Sequence, residues 1–216
     1  MNFIIGAGGF AKEVAWLFYE AFEASRANNG IYAFVVDDES KEVGLAIHGH
    51  PIINESKFTE ITKNTEANIY IGIGSGELRR KIVEKHKKNH PGHKFPPLIH
   101  PSVIYDKRPG AVVFHEGAII CAGCILTTDI IISSFTQINL NCTIGHDSRI
   151  GAFSTVSPGA HISGKVEIGD LCFIGTNASI IENIKICPLV TVGAGATVVR
   201  DISSPGTYIG TPARII

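Results

Sequence analysis

The chain has 216 residues, a formal net charge of −1 and a hydrophobic fraction of 44%. That length allows one or two compact domains, and the near-neutral balance, without a basic block or an acidic tail, excludes a nucleic-acid-binding or solvating role. No apolar run is long enough for a membrane span, and the start Met1-Asn2-Phe3-Ile4-Ile5 lacks the charged opening of a signal peptide, so a cytoplasmic protein is expected.

Residues 2–6 read as a short apolar strand. Gly6-Ala7-Gly8-Gly9 follows and opens a helix expected from about Phe10 to Ala24. Strand, glycine turn and helix form the first unit of a Rossmann-like fold, and free N–H groups at such a helix start suit an anion. The competing reading is a plain strand–helix turn. Ile31 to Val36 is a second strand, ending in Asp37-Asp38. Carboxylates at that edge suit a ribose or a base donor, or simply mark an exposed turn. Gly49-His50-Pro51 is a turn leading into a short segment. Asn68 to Ile73 is another strand, followed by Gly74-Ser75-Gly76 and a helix from about Glu77 to Asn89. The basic residues of that helix form a solvated face, with Arg79 or Arg80 near its start as a candidate phosphate contact.

Phe95-Pro96-Pro97 stops the helix and favours extended chain, dividing the sequence into residues 1–94 and 95–216. Residues 100–113 lack a clear phase and read as an irregular lead-in. From Phe114 the chain repeats every six residues. Fifteen consecutive positions at this spacing, from Phe114 through Ile150 and Val156 to Val198, are all large and apolar. At the overall hydrophobic fraction, chance gives such a run about five times in a million. The position four further on is mostly small, as at Cys124, Cys142, Ala160 and Ala178, and Gly or Asn is frequent near the hexad ends. A period of six fits neither a helix face nor a two-sided strand; it is the hexapeptide repeat of a parallel β-helix. Three hexads close one triangular coil of eighteen residues, giving five coils over this stretch. Gly and Asn at the corners are expected to relieve backbone strain. The repeat absorbs all five cysteines as packing residues, including Cys121 and Cys124, whose spacing otherwise suggests a redox or zinc pair.

His146 stands out among nine histidines. It occupies an outward slot near a corner, where packing requires no imidazole. Counting by eighteen places Gly164 next to it in the stack, leaving room for a ligand to approach the backbone. Asp147 follows and is a candidate to orient the ring, a carboxylate elsewhere in the chain being the alternative. A neutral imidazole near its ordinary pKa is a good base at neutral pH, which sets a general-base reading against that of an exposed structural histidine.

The order of the pieces, Gly6-Ala7-Gly8-Gly9-Phe10-Ala11-Lys12-Glu13, Asp37-Asp38, Ile73-Gly74-Ser75-Gly76, Leu98-Ile99-His100-Pro101-Ser102, Gly145-His146-Asp147 and Gly210-Thr211-Pro212-Ala213-Arg214, resembles two-domain bacterial sugar acetyltransferases of the pilin-glycan, bacillosamine and sialic-acid type. The resemblance covers the whole chain. It implies a left-handed β-helix, a homotrimer with active sites between neighbouring coils, acetyl-CoA as co-substrate and no metal. It implies His146 and Asp147 as catalytic residues, cofactor contacts near Gly164, Ala178 and Gly193, and a nucleotide-sugar at Gly6, Gly8, Gly9, Asp37, Asp38 and Gly74. Some relatives carry a second histidine where this chain has Thr155, a candidate acetyl contact through its hydroxyl. The expected reaction is acetylation of an amino group on a nucleotide-linked sugar in surface-glycan synthesis. The alternatives are O-acetylation of sialic acid or another sugar, a non-catalytic trimeric sugar-binding scaffold, and, weakest, a nicotinamide-dependent oxidoreductase, for which the N-terminal half is short.

Overall fold

The computed structural model describes residues 1–23 and 30–216. The N-terminal elements are β1 (Asn2–Ile5), α1 (Gly9–Glu23), β2 (Ile31–Val36), β3 (Ala46–Ile47), β4 (His50–Asn54), α2 (Glu55–Thr62), β5 (Asn68–Ile71) and α3 (Gly76–Asn89). The expected first helix is present; Ala24, its expected last residue, lies outside the described residues. The sheet order is β3-β4-β2-β1-β5, parallel except for β3. Strands in such a sheet are covered on both faces, which is why β1, β2 and β5 read as unbroken apolar runs. Phe3 and Ile4 point to opposite faces and both are fully buried.

The short segment after Gly49 turns out to be a strand and a helix. Asn54 caps α2, its side-chain oxygen accepting the Lys57 N–H at 2.9 Å. The Asn-Glu pair at residues 54–55 is the local signal for that start.

The C-terminal half is a left-handed β-helix of three stacked parallel sheets. The first face runs from Leu98–Ile99 to Gly206–Ile209, the second from Ile104–Tyr105 to Thr197–Val198 and the third from Val112–Phe114 to Lys185–Ile186. Pairs such as Ile144 with Ile162 keep the eighteen-residue register. The large positions fill the interior in one continuous column, with Ile120, Ile138, Ile150 and Ile174 all fully buried. Arg214–Ile215 folds back antiparallel on Tyr208–Ile209 and closes the far end.

Two expectations are corrected. Regular coiling begins at Leu98, not at Phe114. Ile104 pairs with Ile125, three residues beyond the regular spacing, because extra chain between Tyr105 and Val112 shifts the phase. Asp106 holds that loop by accepting the Arg108 backbone N–H at 3.0 Å. The corner residues in left-handed backbone are also not all glycine or asparagine. One column of them is Asp129, Asp147, Lys165 and Asn183; another is Phe135, Phe153, Leu171 and Leu189. The glycines that follow the large residue serve coil stacking instead. A Cβ built on Gly145 would lie 2.6 Å from the Gly164 nitrogen of the next coil.

The two halves share their cores. Leu98, Ile119 and Cys121 of the coil pack with α1 and one sheet face, and Phe95 and Phe135 pack with the other. All five cysteines are free thiols. Burial pushes the Cys121 thiol up to about 12 and Cys172 to about 11, the opposite of what a reactive thiolate needs.

Candidate active site

His146 lies at the corner between strand Thr143–Ile144 of the second face and strand Arg149–Ile150 of the third. The ladder fixes its backbone: its carbonyl accepts the Lys165 N–H at 2.7 Å, and the Asp147 N–H donates to Thr128 at 3.2 Å. Asp147 then enters the left-handed region at φ 60°, which a short acidic side chain tolerates. The turn brings the Asp147 Oδ2 to 2.7 Å from His146 Nδ1. A carboxylate only accepts, so Nδ1 is the donor, and in the neutral tautomer this selects, Nε2 carries the lone pair. Both side chains are at least half exposed, at 57% and 50%, so the pair orients the ring rather than stabilising the fold.

Nε2 faces Gly164. A Cβ on that residue would sit 2.7 Å from it. Any side chain there would displace the imidazole or fill the space before it. Among the described residues the Gly164 N–H donates to no protein group, while its carbonyl accepts from Asn183 at 3.1 Å. An imidazole nitrogen and a backbone N–H without a protein acceptor therefore belong to stacked residues of adjacent coils at this corner.

The other expected cofactor positions differ in character. Ala178 is fully buried in the coil interior, its N–H donates to Gly175 and its carbonyl accepts from His161. The Gly193 N–H is used by Tyr208 of the terminal cap. Thr155 is 6% exposed and turns away from the corner, towards the N-terminal half. Its hydroxyl donates to the Gly74 carbonyl at 3.3 Å and accepts from Arg79 at 3.1 Å.

Of the expected sugar positions, Gly6 and Asp37 line one cavity of about 420 Å³ at the carboxyl ends of β1 and β2, walled by Ile73 and by Leu78, Ile82 and His86 of α3. Gly6 has φ 103°, and a Cβ there would lie 2.8 Å from Ile73 Cδ1. Gly8, Gly9 and Gly74 do not line this cavity, although their Cα atoms face open space. Asp38 is spent on the fold, accepting the Ser56 N–H in the first turn of α2 at 3.0 Å.

Arg79 is not a phosphate contact in this chain. It is 1% exposed and makes hydrogen bonds across the junction between the halves. Arg80 faces outward, 4.0 Å from Glu84. Nothing in the local sequence marks Arg79 for this position, because its partners in the coil lie more than fifty residues away. At the end of α3, His86, His90 and His93 cluster, with His86 Nε2 3.0 Å from His93 Nδ1. Burial first, then its two neighbours, pushes His86 down to about 3. His161 meets Thr143 on the second face, away from this cluster. Among the described residues no group of three or more His, Cys, Asp or Glu is arranged to hold a metal. None of their helices is long and apolar enough to cross a membrane.

Residues 3–86 match the family described as the PglD N-terminal domain. No curated protein matches the chain. WeeI from Acinetobacter baumannii AYE is 30% identical, with a TM-score of 0.85 over 100% of this chain and 99% of that one. A mutant of perosamine N-acetyltransferase from Caulobacter crescentus, in complex with CoA and GDP-perosamine, is 28% identical, with a TM-score of 0.86 over 100% and 96%. The acetyltransferase domain of PglB from Neisseria gonorrhoeae FA1090, in complex with acetyl coenzyme A, is 28% identical, with a TM-score of 0.83 over 100% and 98%. Taken with the coil and its corner histidine, these likenesses place the chain in the sugar N-acetyltransferase family of the hexapeptide-repeat acyltransferases.

Proposed function

We propose that this protein transfers the acetyl group of acetyl-CoA to the amino group of a nucleotide-linked amino sugar, in the synthesis of a surface glycan. The observation that carries this reading is the corner of the coil, where the free Nε2 of His146 stands against the side-chain-free backbone of Gly164. The likeness to an N-acetyltransferase held with CoA and GDP-perosamine supports both co-substrates.

In this mechanism the sugar nitrogen attacks the thioester carbonyl directly. The C–N bond forms as His146 Nε2 takes the amine proton, and Asp147 steadies the resulting imidazolium through Nδ1–H. The Gly164 N–H is the donor placed for the developing oxyanion. The C–S bond breaks, and the proton held by His146 is available to the departing thiolate. No covalent enzyme intermediate is needed, and the Cys121 and Cys172 thiols, pushed up by burial, do not suit one.

The acceptor occupies the cavity at Gly6 and Asp37 in a binding domain of residues 1–94, and the chemistry belongs to residues 95–216. The acyl carrier follows the corner column from Gly164 towards Arg200 and Arg214, which line a cavity of about 280 Å³ under the cap. Ala178 and Gly193 lie off that course, at the corner between the first and second faces, and as buried or cap-bonded backbone they shape the coil rather than supply free donors. The working unit is a homotrimer. The outward residues of the second face, Ile104, Ile125, Thr143, His161, Ser179 and Thr197, include no Asp, Glu, Lys or Arg, whereas the third face carries Arg149, Glu167 and Lys185. A face beside His146 without those residues suits packing against another coil, with the site at its rim. The enzyme acts in the cytoplasm, where both co-substrates are made.

The test is direct. Purified protein is incubated with acetyl-CoA and a panel of amino-sugar nucleotides, with thiol release followed and products weighed by mass spectrometry. Acetylation at nitrogen is expected for at least one member. Product only from hydroxyl-bearing sugars would move the reading to O-acetylation, and no CoA binding by calorimetry would overturn it in favour of a scaffold.

A further inference from the structure

Arg79 is a buried guanidinium without a carboxylate partner. Its Nε donates to Phe135 O at 2.8 Å, and Nη1 to Ile73 O at 2.9 Å and Gly74 O at 3.0 Å. Nη2 donates to Phe153 O at 2.8 Å, Ser154 O at 3.2 Å and Thr155 Oγ1 at 3.1 Å. A guanidinium has five N–H groups in a rigid fork, and here every one is spent, one of them shared. Phe135 and Phe153 sit at left-handed corners, and neither carbonyl accepts a backbone N–H among the described residues.

The acceptors fall into two sets. Ile73 and Gly74 form the turn after β5, and Phe135, Phe153, Ser154 and Thr155 belong to successive coils. The same turn is gripped twice more from the coil, by Gln137 Nε2 on Ile73 O at 3.0 Å and by the Thr155 hydroxyl on Gly74 O. Ile73 walls the cavity that holds Gly6 and Asp37. Its carbonyl thus answers to the coil while its side chain answers to the cavity.

We propose that Arg79 is a positioning residue for acceptor binding, fixing the cavity of the N-terminal half against the coil that carries His146 by holding the Ile73–Gly74 turn. This rests on the acceptor-binding role proposed above for the cavity. Such a direct transfer needs the amine held at the corner to within a fraction of an ångström, so a loosened turn costs acceptor alignment while leaving the thioester site alone.

Arg79→Met, Arg79→Lys and Thr155→Ala separate this role from others. In the Met variant KM for the nucleotide-sugar is expected to rise, and kcat to fall, each by about tenfold, with acetyl-CoA binding by calorimetry unchanged. Lysine keeps a cation but offers three N–H groups from one atom, which cannot reach both sides of the junction, so it is expected not to rescue. Full rescue by lysine would overturn the fork argument. Thr155→Ala covers the case in which the Met variant fails to fold. The junction role raises KM for the sugar nucleotide in that variant, whereas a direct acetyl contact raises KM for acetyl-CoA and would count against the proposal. Hydrogen exchange supplies a readout independent of turnover: amides of residues 72–76 are expected to lose about tenfold protection in Arg79→Met, and less in Thr155→Ala. If the wild-type protein acetylates no sugar, the functional reading fails, and this exchange pattern still judges Arg79. Unchanged protection at residues 72–76 would sink the proposal.

Discussion

In the coil a residue's task follows from its position in the count of eighteen; in the N-terminal half it follows from what happens to pack against it. Gly164 and Gly6 show the difference. Gly164 is small because the residue stacked on it is His146, and counting alone finds that pair. Gly6 combines a left-handed backbone with contact to Ile73, a residue brought in by the neighbouring strand β5 from more than sixty residues further along the chain. A solenoid makes nearest-neighbour contacts at fixed intervals, whereas an open α/β sheet is ordered by non-sequential strands. The positional rule should therefore predict coil variants well and N-terminal variants poorly.

The largest expected effect is at the corner. His146→Ala should lower kcat by about a hundred- to ten-thousand-fold, the usual worth of a general base, with an unchanged thermal midpoint because the ring is exposed. A variant that retains full turnover would remove the base assignment. Next comes the coil interior. Ile162→Ala empties a buried slot and should cost about 2–5 kcal/mol in urea unfolding. A loss under about 1 kcal/mol would mean that the stack relaxes freely, against the nearest-neighbour picture.

Gly164→Ala tests the pairing of the two. Its backbone does not require glycine, so the alanine acts through its methyl group alone, at the His146 ring. Turnover should drop by about ten- to a hundredfold with stability preserved. For the N-terminal half the informative variable is pH. His86 ordinarily titrates at 6.5 and is held down to about 3, so the unfolded chain binds the extra proton first. Stability from this group is complete above pH 6.5 and is lost as pH falls towards 3, at up to about 1.4 kcal/mol per unit. His86→Phe should flatten that acid slope in thermal melts; an unaltered slope would assign it to carboxylates elsewhere. The smallest effect is expected for Asp147→Asn. Asparagine accepts the same left-handed backbone, the pair is exposed, and turnover should fall only about two- to fivefold.

Much of the site was readable before folding because the repeat is local arithmetic. The interior column from Ile120 to Val198, the packing role of the cysteines and the placing of His146 beside Gly164 all follow from period and residue size. The reading faltered where the arithmetic was interrupted. Extra residues between Tyr105 and Val112 hid the first coil, and α2 was missed because its cap at Asn54 is a single-residue signal.

The sequence by itself determined the coil, its interior and the stacking of His146 on Gly164 at a corner, since hydrophobic burial and stacking impose a fixed period on neighbouring residues. Only the tertiary structure decided what Arg79, Gln137 and Thr155 do. Their partners across the junction are separated from them by tens of residues and are mostly backbone carbonyls, which leave no trace in residue type. A basic residue on an amphipathic helix looks solvated until the coil folds against it. The desolvation of that guanidinium, compensated by carbonyls from both halves, is a property of the assembled junction and of no segment within it.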